Sequence, residues 1–168
     1  MTHNQGDVSL LQDPIAQSLL QSRIPARLAY IWPDGTPRVV PVWFHWDGRE
    51  IVFATPPTAP KVRALSQNPA VALTVDEDSF PPRVLLVRGI ARTDLVNGIV
   101  PEYAEAARRY LGEEQGAVWA EQMMNMFSQV VRVSIRPEWV GIFDFQQRFP
   151  SAIERAMWGE ARESDHAR

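Results

Sequence analysis

The chain has 168 residues, 17 Lys and Arg against 20 Asp and Glu, 14 Pro and no Cys. This length predicts one domain, large enough to bury a core without staples, and the lack of Cys excludes a disulfide framework, a thiolate metal site and a cysteine nucleophile. A net charge of −3 argues against a general nucleic-acid binder, and neither a membrane-spanning apolar run nor a signal peptide is apparent, so a cytoplasmic protein with no nucleic-acid or membrane partner is expected.

Residues 1–12 are polar and read as a flexible N-terminus. Asp13-Pro14 opens a short helix, with Asp as N-cap and Pro at the first helical position. From Ala26 the apolar period changes to two. Leu28, Tyr30 and Trp32 lead into the turn Pro33-Asp34-Gly35, residues 38–46 (RVVPVWFHW) read as a second strand, Asp47-Gly48 favours a tight primed turn, and Ile51 to Ala54 form a third strand. These three strands predict an antiparallel meander. In the second, Val40, Val42, Phe44 and Trp46 share one face and Val39, Pro41, Trp43 and His45 the other. Both faces are apolar, which predicts cover from the core on one side and from a partner subunit or a flat ligand on the other. Pro41 cannot donate a ladder hydrogen bond and belongs at an edge or a bulge.

TPPTAP at 55–60 is a stiff loop, followed by a helix from Lys61 that ends near Asn68-Pro69. Strands are expected over 71–75 and 83–91. A helix from Pro101 carries Tyr103, Ala106, Ala107, Tyr110 and Leu111 on one stripe, and Trp119, Met123, Met126 and Phe127 form another. Two further strands are expected over 130–135 and 139–145, then a helical turn over 150–158 and a charged tail over 159–168. Short antiparallel strands with helices between them predict a mainly β architecture, a closed or split barrel, in a single domain over 13–158.

The sequence offers no evident catalytic constellation. His3 and His166 lie in the tails, His45 sits mid-strand, and there is no G-x-S-x-G elbow. Asp76-Glu77-Asp78 is the one acidic cluster and reads as a solvated turn rather than a metal site. Neither a dinucleotide fingerprint nor a P-loop is present. Thr55, Thr58 and Lys61, however, surround a turn that leads into a helix, with Arg63 close by. Hydroxyls, a cation and helix-start N–H groups are what a phosphate needs. A ligand with a flat ring and a phosphate could lie across Val39, Val40, Pro41, Val42 and Trp43, with its phosphate at Thr55–Lys61.

The run ARLAYIWPDGTPRVVPVWFHWDGREIVFAT, then KVRALSQNPAVALTVD, then VLLVRGIA, resembles the pyridoxamine 5'-phosphate oxidase-related, FMN-binding split-barrel family over residues 23–95. The resemblance implies a six-stranded antiparallel split β-barrel with short inserted helices, and a homodimer with two cofactor sites at the subunit interface. By position, Val39 to Trp43 would line the isoalloxazine and ribityl chain, and Thr55, Thr58 and Lys61 would hold the phosphate. Arg88 and Trp139 would contact the cofactor or the partner subunit. The C-terminal FDFQQRFPSAIERAMWG departs from the R-L-H-D-R-like segment of true pyridoxamine-phosphate oxidases, which argues against vitamin B6 oxidation. The expectation is an FMN-dependent oxidoreductase acting on a small molecule. Its alternatives are a reductase of the same fold using an 8-hydroxy-5-deazaflavin cofactor, a non-catalytic flavin- or haem-binding protein, and an interaction domain.

Overall fold

The structure, a computed structural model, describes residues 5–157. Its first element is a short 3-10 turn over Val8–Gln12, capped by Asp7, which buries Leu10 and Leu11. The Gly6 N–H donates to the Val140 carbonyl at 2.7 Å and the Gln5 side chain exchanges two hydrogen bonds with the Ile142 backbone. Residues 5–12 are therefore seated on the barrel, and the expectation of a flexible N-terminus does not hold for them. Local polarity hid two leucines whose burial is worth roughly 1.5–3 kcal/mol each. Helix α1 (Pro14–Leu20) follows, with the Asp13 side chain accepting from the Ile15 N–H as the Asp-Pro pair predicts.

Strands β1 (Ala26–Ile31), β2 (Pro37–Val42), β3 (His45–Trp46) and β4 (Ile51–Thr55) come next, then helix α2 (Pro60–Gln67). Strands β5 (Ala70–Asp76) and β6 (Val84–Asn97) form a hairpin, helices α3 (Pro101–Leu111) and α4 (Glu113–Met126) are inserted, and β7 (Gln129–Phe143) ends the sheet. Residues 151–157 form a last helix, α5. The expected helical turn reached Trp158, which with the charged tail lies outside the described residues.

All pairings are antiparallel, in the order β2-β1-β5-β6-β7-β4-β3. The two ends of that order, β2 and β3, are separated by only Trp43 and Phe44. Three Cα steps reach at most about 11 Å, so the edges of the sheet are brought together and it curls into a barrel with a split at this point. The single strand expected over 38–46 is thus two strands. Its first half pairs with β1 and its second with β4. Seven hydrogen-bonded segments result where six were expected, although β2 and β3 are one passage of chain. The expected meander holds in its pairings, the passage over 38–46 lying beside β1 through β2 and beside β4 through β3, but the break puts these two pairings at opposite edges of the sheet. The hairpin at Asp47-Gly48 is closed by the Asp47 N–H donating to the Glu50 carbonyl at 3.3 Å, with Trp46 opposite Ile51 and the Asp47 carboxylate accepting from the N–H groups of Arg49 and Glu50.

Alternation places Leu28, Phe44, Phe53, Leu73, Leu85 and Val133 in the barrel core. Two strands expected over 130–135 and 139–145 are one continuous β7, carried past Pro137 by a register shift opposite Arg88 and Gly89. A Cβ at Gly89 would stand 2.1 Å from the Arg136 carbonyl oxygen, so only glycine permits the close approach there. Helices α3 and α4 pack through Gly116, where a Cβ would meet the Arg108 Cα at 2.4 Å. The stripe of Trp119, Met123, Met126 and Phe127 is only partly covered: Met123 and Phe127 are half-buried, whereas Trp119 is 37% and Met126 65% exposed.

Candidate functional site

The break between β2 and β3 is held from the inserted helices. Arg109, near the end of α3, donates to the Leu20 carbonyl at 2.6 Å and to the Phe44 carbonyl, and its guanidinium lies 4.8 Å over the Phe44 ring and 4.9 Å over the Tyr110 ring. Trp43 stacks on Tyr110 with centroids 5.0 Å apart and planes inclined by 7°. Trp119 of α4 stands 6.3 Å from Trp43, tilted by 60°. The Trp119 Nε1–H donates to the Tyr103 hydroxyl at 2.8 Å. The insertion therefore converts a gap in the barrel into an aromatic wall.

Beside that wall is a cleft of about 310 Å³ lined by Pro41, Val42, Trp43, Phe53, Ala54, Lys61, Tyr103 and Trp119. Of the residues singled out from the sequence, it brings together Pro41, Val42, Trp43 and Lys61. β2 pairs only with β1, so alternate backbone groups along its other edge are left open to a ligand. Pro41 sits on this edge strand, where a missing N–H is tolerated.

Lys61 is in the first turn of α2 and is half-buried. Among the described residues it has neither an ion pair nor a hydrogen bond. Burial pulls its ammonium below the usual lysine value of 10.5. Helix α2 begins at Pro60 with no side-chain cap; Pro60 has no N–H and the Val62 N–H donates to the Ala59 carbonyl at 2.9 Å, which leaves the backbone N–H of Lys61 itself open in the first turn. Thr55 ends β4 and is buried, and Thr58 lies exposed in the turn before α2. A half-buried cation without a carboxylate, at an uncapped helix start, is an arrangement suited to an external anion.

The other expected residues lie elsewhere. Val40 packs inward against the core, and Val39 is 63% exposed on the outer face of the barrel. Arg88 stands on β6 with its guanidinium 4.1 Å over the Trp139 ring, and the two line a separate outer cleft of about 430 Å³ with Ile31, Ala72 and Ile90. Arg88 thus does not reach the cleft that holds Lys61. Conversely, Phe53, Ala54, Tyr103 and Trp119 belong to that cleft and were not singled out as site residues. Tyr103 and Trp119 were visible in the helical stripes, but nothing local says that a helix stripe faces a break in a barrel.

The acidic run behaves as a solvated turn: Asp76 pairs with Arg27 and Glu77 with Arg83. Among the described residues no group of three or more His, Asp or Glu could hold a metal ion, and no helix is long and apolar enough to cross a membrane.

Comparison with known proteins agrees with this geometry. An F420 reductase of known structure is 30% identical over 74% of this chain and 94% of its own, with a TM-score of 0.56. A conserved hypothetical protein from Mycobacterium tuberculosis is 23% identical over 87% of this chain and 91% of its own, with a TM-score of 0.64. The heme storage protein HutZ from Vibrio cholerae shares the fold at 20% identity over 79% and 93% of the two chains, with a TM-score of 0.57. No curated protein matches. The family profile described as pyridoxamine 5'-phosphate oxidase matches residues 13–143. That span runs from the Asp13 cap to the end of β7 and takes in both the barrel and its inserted helices, so the chain belongs to the pyridoxamine 5'-phosphate oxidase family of split barrels.

Proposed function

We propose that this protein is an oxidoreductase that holds a flavin-type cofactor, FMN in the first reading, in the cleft between β2, β4 and the inserted helices. The observation that carries the proposal is Lys61, a half-buried ammonium without an internal partner on the wall of a cleft whose other walls are aromatic. A cofactor with a flat ring and a phosphate complements both features. In this reading the Lys61 ammonium, its backbone N–H at the α2 start and the exposed Thr58 hydroxyl in the turn before α2 bind the phosphate, while the buried Thr55 lines a neighbouring cavity. Trp43, Val42 and the open edge of β2 bind and orient the ring. Trp119 and Tyr103 close the cleft to water.

When bound, such a cofactor supplies the electron transfer, and the protein's part is binding, orientation and exclusion of water. The cleft contains no Asp, Glu or His, so the reading asks for no acid–base pair. A homodimer belongs to the same proposal: the apolar outer face around Val39, Ile31 and Ile90 is what a second copy would cover, which would also add to an open cleft.

A second reading is favoured by one observation. The 30% identical relative is an F420 reductase, which supports an 8-hydroxy-5-deazaflavin cofactor in the same cleft through the same phosphate contacts. Mass spectrometry of the small molecule released on denaturing the purified protein, with fluorescence titration of both cofactors, separates the two. Binding of neither would overturn both. Turnover of a reductant with the cofactor loaded would distinguish an enzyme from a storage protein.

A further inference from the structure

The cofactor cleft is not the only space under the α3–α4 insertion. A second, partly open cavity of about 70 Å³ adjoins it, with Ala54 and Tyr103 as their common wall, and is otherwise lined mainly by Val100, Met123, Phe127 and Val130. Its lining contains no charged side chain and two hydroxyl-bearing ones, Thr55 and Tyr103. The volume decides what it can take. An apolar cavity of about 150 Å³ holds benzene, so one half that size holds a short branched alkyl group and not a ring. The lining excludes a charged occupant, which would lose its hydration without gaining a partner. Met123 lends the wall some adaptability in shape.

Tyr103 places a hydrogen-bond donor at the boundary between the two spaces. The Trp119 indole N–H donates to its oxygen at 2.8 Å. An indole N–H can only donate, so the Tyr103 oxygen is the acceptor and its own O–H is left to donate to something else. Among the described residues no acceptor takes it.

We propose, resting on the cofactor reading above, that the substrate is an uncharged carbonyl compound whose short alkyl group fills this cavity and whose oxygen accepts a hydrogen bond from Tyr103. The carbonyl then stands at the mouth of the cofactor cleft, held by Tyr103 on one side and by its buried alkyl group on the other.

The test is binding of three uncharged probes to the purified protein by equilibrium dialysis. Isobutyrophenone carries an isopropyl group on a ketone, isobutylbenzene replaces the carbonyl by methylene, and benzophenone replaces the isopropyl group by a second ring. Isobutyrophenone is expected to bind about fivefold tighter than either. Tyr103→Phe is expected to abolish the preference for ketone over hydrocarbon. Val130→Phe, which fills the cavity from a position outside the cofactor cleft, is expected to weaken isobutyrophenone at least tenfold while leaving FMN titration unchanged. A preference that survives Tyr103→Phe, or benzophenone binding as well as isobutyrophenone, overturns the proposal, and these two results do not depend on Val130→Phe folding. If the ketone pattern holds and neither FMN nor the deazaflavin binds, the cofactor reading fails and the cavity assignment stands. If a cofactor binds and the pattern is absent, the assignment fails alone.

Discussion

The Trp43 and Tyr110 rings lie 5.0 Å apart and 7° from parallel, which joins the break in the barrel wall to the last turn of α3. Tyr110 is fixed from its other end, since its hydroxyl donates to the Ile24 carbonyl at 3.1 Å. A stacked pair contributes about 0.5–1.5 kcal/mol beyond burial, and one hydrogen bond a similar amount. Tyr110→Leu is therefore expected to lower stability by about 1–3 kcal/mol in urea melts and to weaken cofactor binding, because Trp43 is released. Unchanged cofactor affinity would separate the stack from the site.

Lys61→Ala is expected to lose about 1.5–3 kcal/mol of cofactor binding, tenfold to a hundredfold in dissociation constant, with the melting curve unchanged or slightly raised. The pH dependence follows from burial. Lys61 binds its proton more weakly in the folded chain than in the unfolded one, so without an anion beside it stability rises as pH climbs through the folded value, below 10.5. Phosphate binding has the opposite slope, because it needs the ammonium, and cofactor affinity falls over the same window. Lys61→Arg is expected to flatten that fall. Fluorescence titrations at several pH values with wild type and both variants test this.

Glu102 and Arg132 tie α3 to β7 through two hydrogen bonds to one carboxylate oxygen, at 2.6 and 3.0 Å. Burial alone would raise the Glu102 carboxyl, but the hydrogen bond and charge of Arg132 outweigh it and hold it below 4.5. A carboxyl lowered on folding stabilises the fold above its unfolded value, and that contribution is lost as pH falls through the folded value. Glu102→Gln is expected to cost about 1 kcal/mol near pH 7 and little at a pH, below 4.5, acidic enough to protonate the carboxyl in the folded chain. Urea unfolding at the two pH values measures the difference, and equal losses at both would exclude an ionic role.

Val39 is a valine 63% exposed on the outer face of β2, near other apolar groups such as Ile31 and Ile90, each 36% exposed. Under the proposed dimer a second copy covers this face, and Val39→Asp places a charge in it. Sedimentation velocity is expected to give a dimer for the wild type and a shift toward monomer for the variant, at micromolar concentration. A wild type that sediments as a monomer would remove the dimer from the proposal.

What the sequence by itself determined is what neighbouring residues decide. Asp13-Pro14 caps a helix because both groups act within one turn. Asp-Gly marks two turns because Gly35 and Gly48 take positive φ of 84° and 94°. The period of two across 26–55 gave the strands, and Pro41 gave the edge. Lys61 beside two threonines ahead of a helix was legible in the same local way. What only the tertiary structure decided involves partners distant in the chain. The strand over 38–46 breaks at Phe44 where its carbonyl is taken by Arg109, 65 residues away. The strand after Gln129 runs through Pro137 because Gly89 lets the two backbones approach. Tyr103 and Trp119 reach the cleft because Gly116 lets α4 lie close on α3, and the leucines of 5–12 are buried because β7 offers them a surface. Periodicity reports which face of an element is apolar. It does not report what that face meets, which depends on the packing of the whole chain.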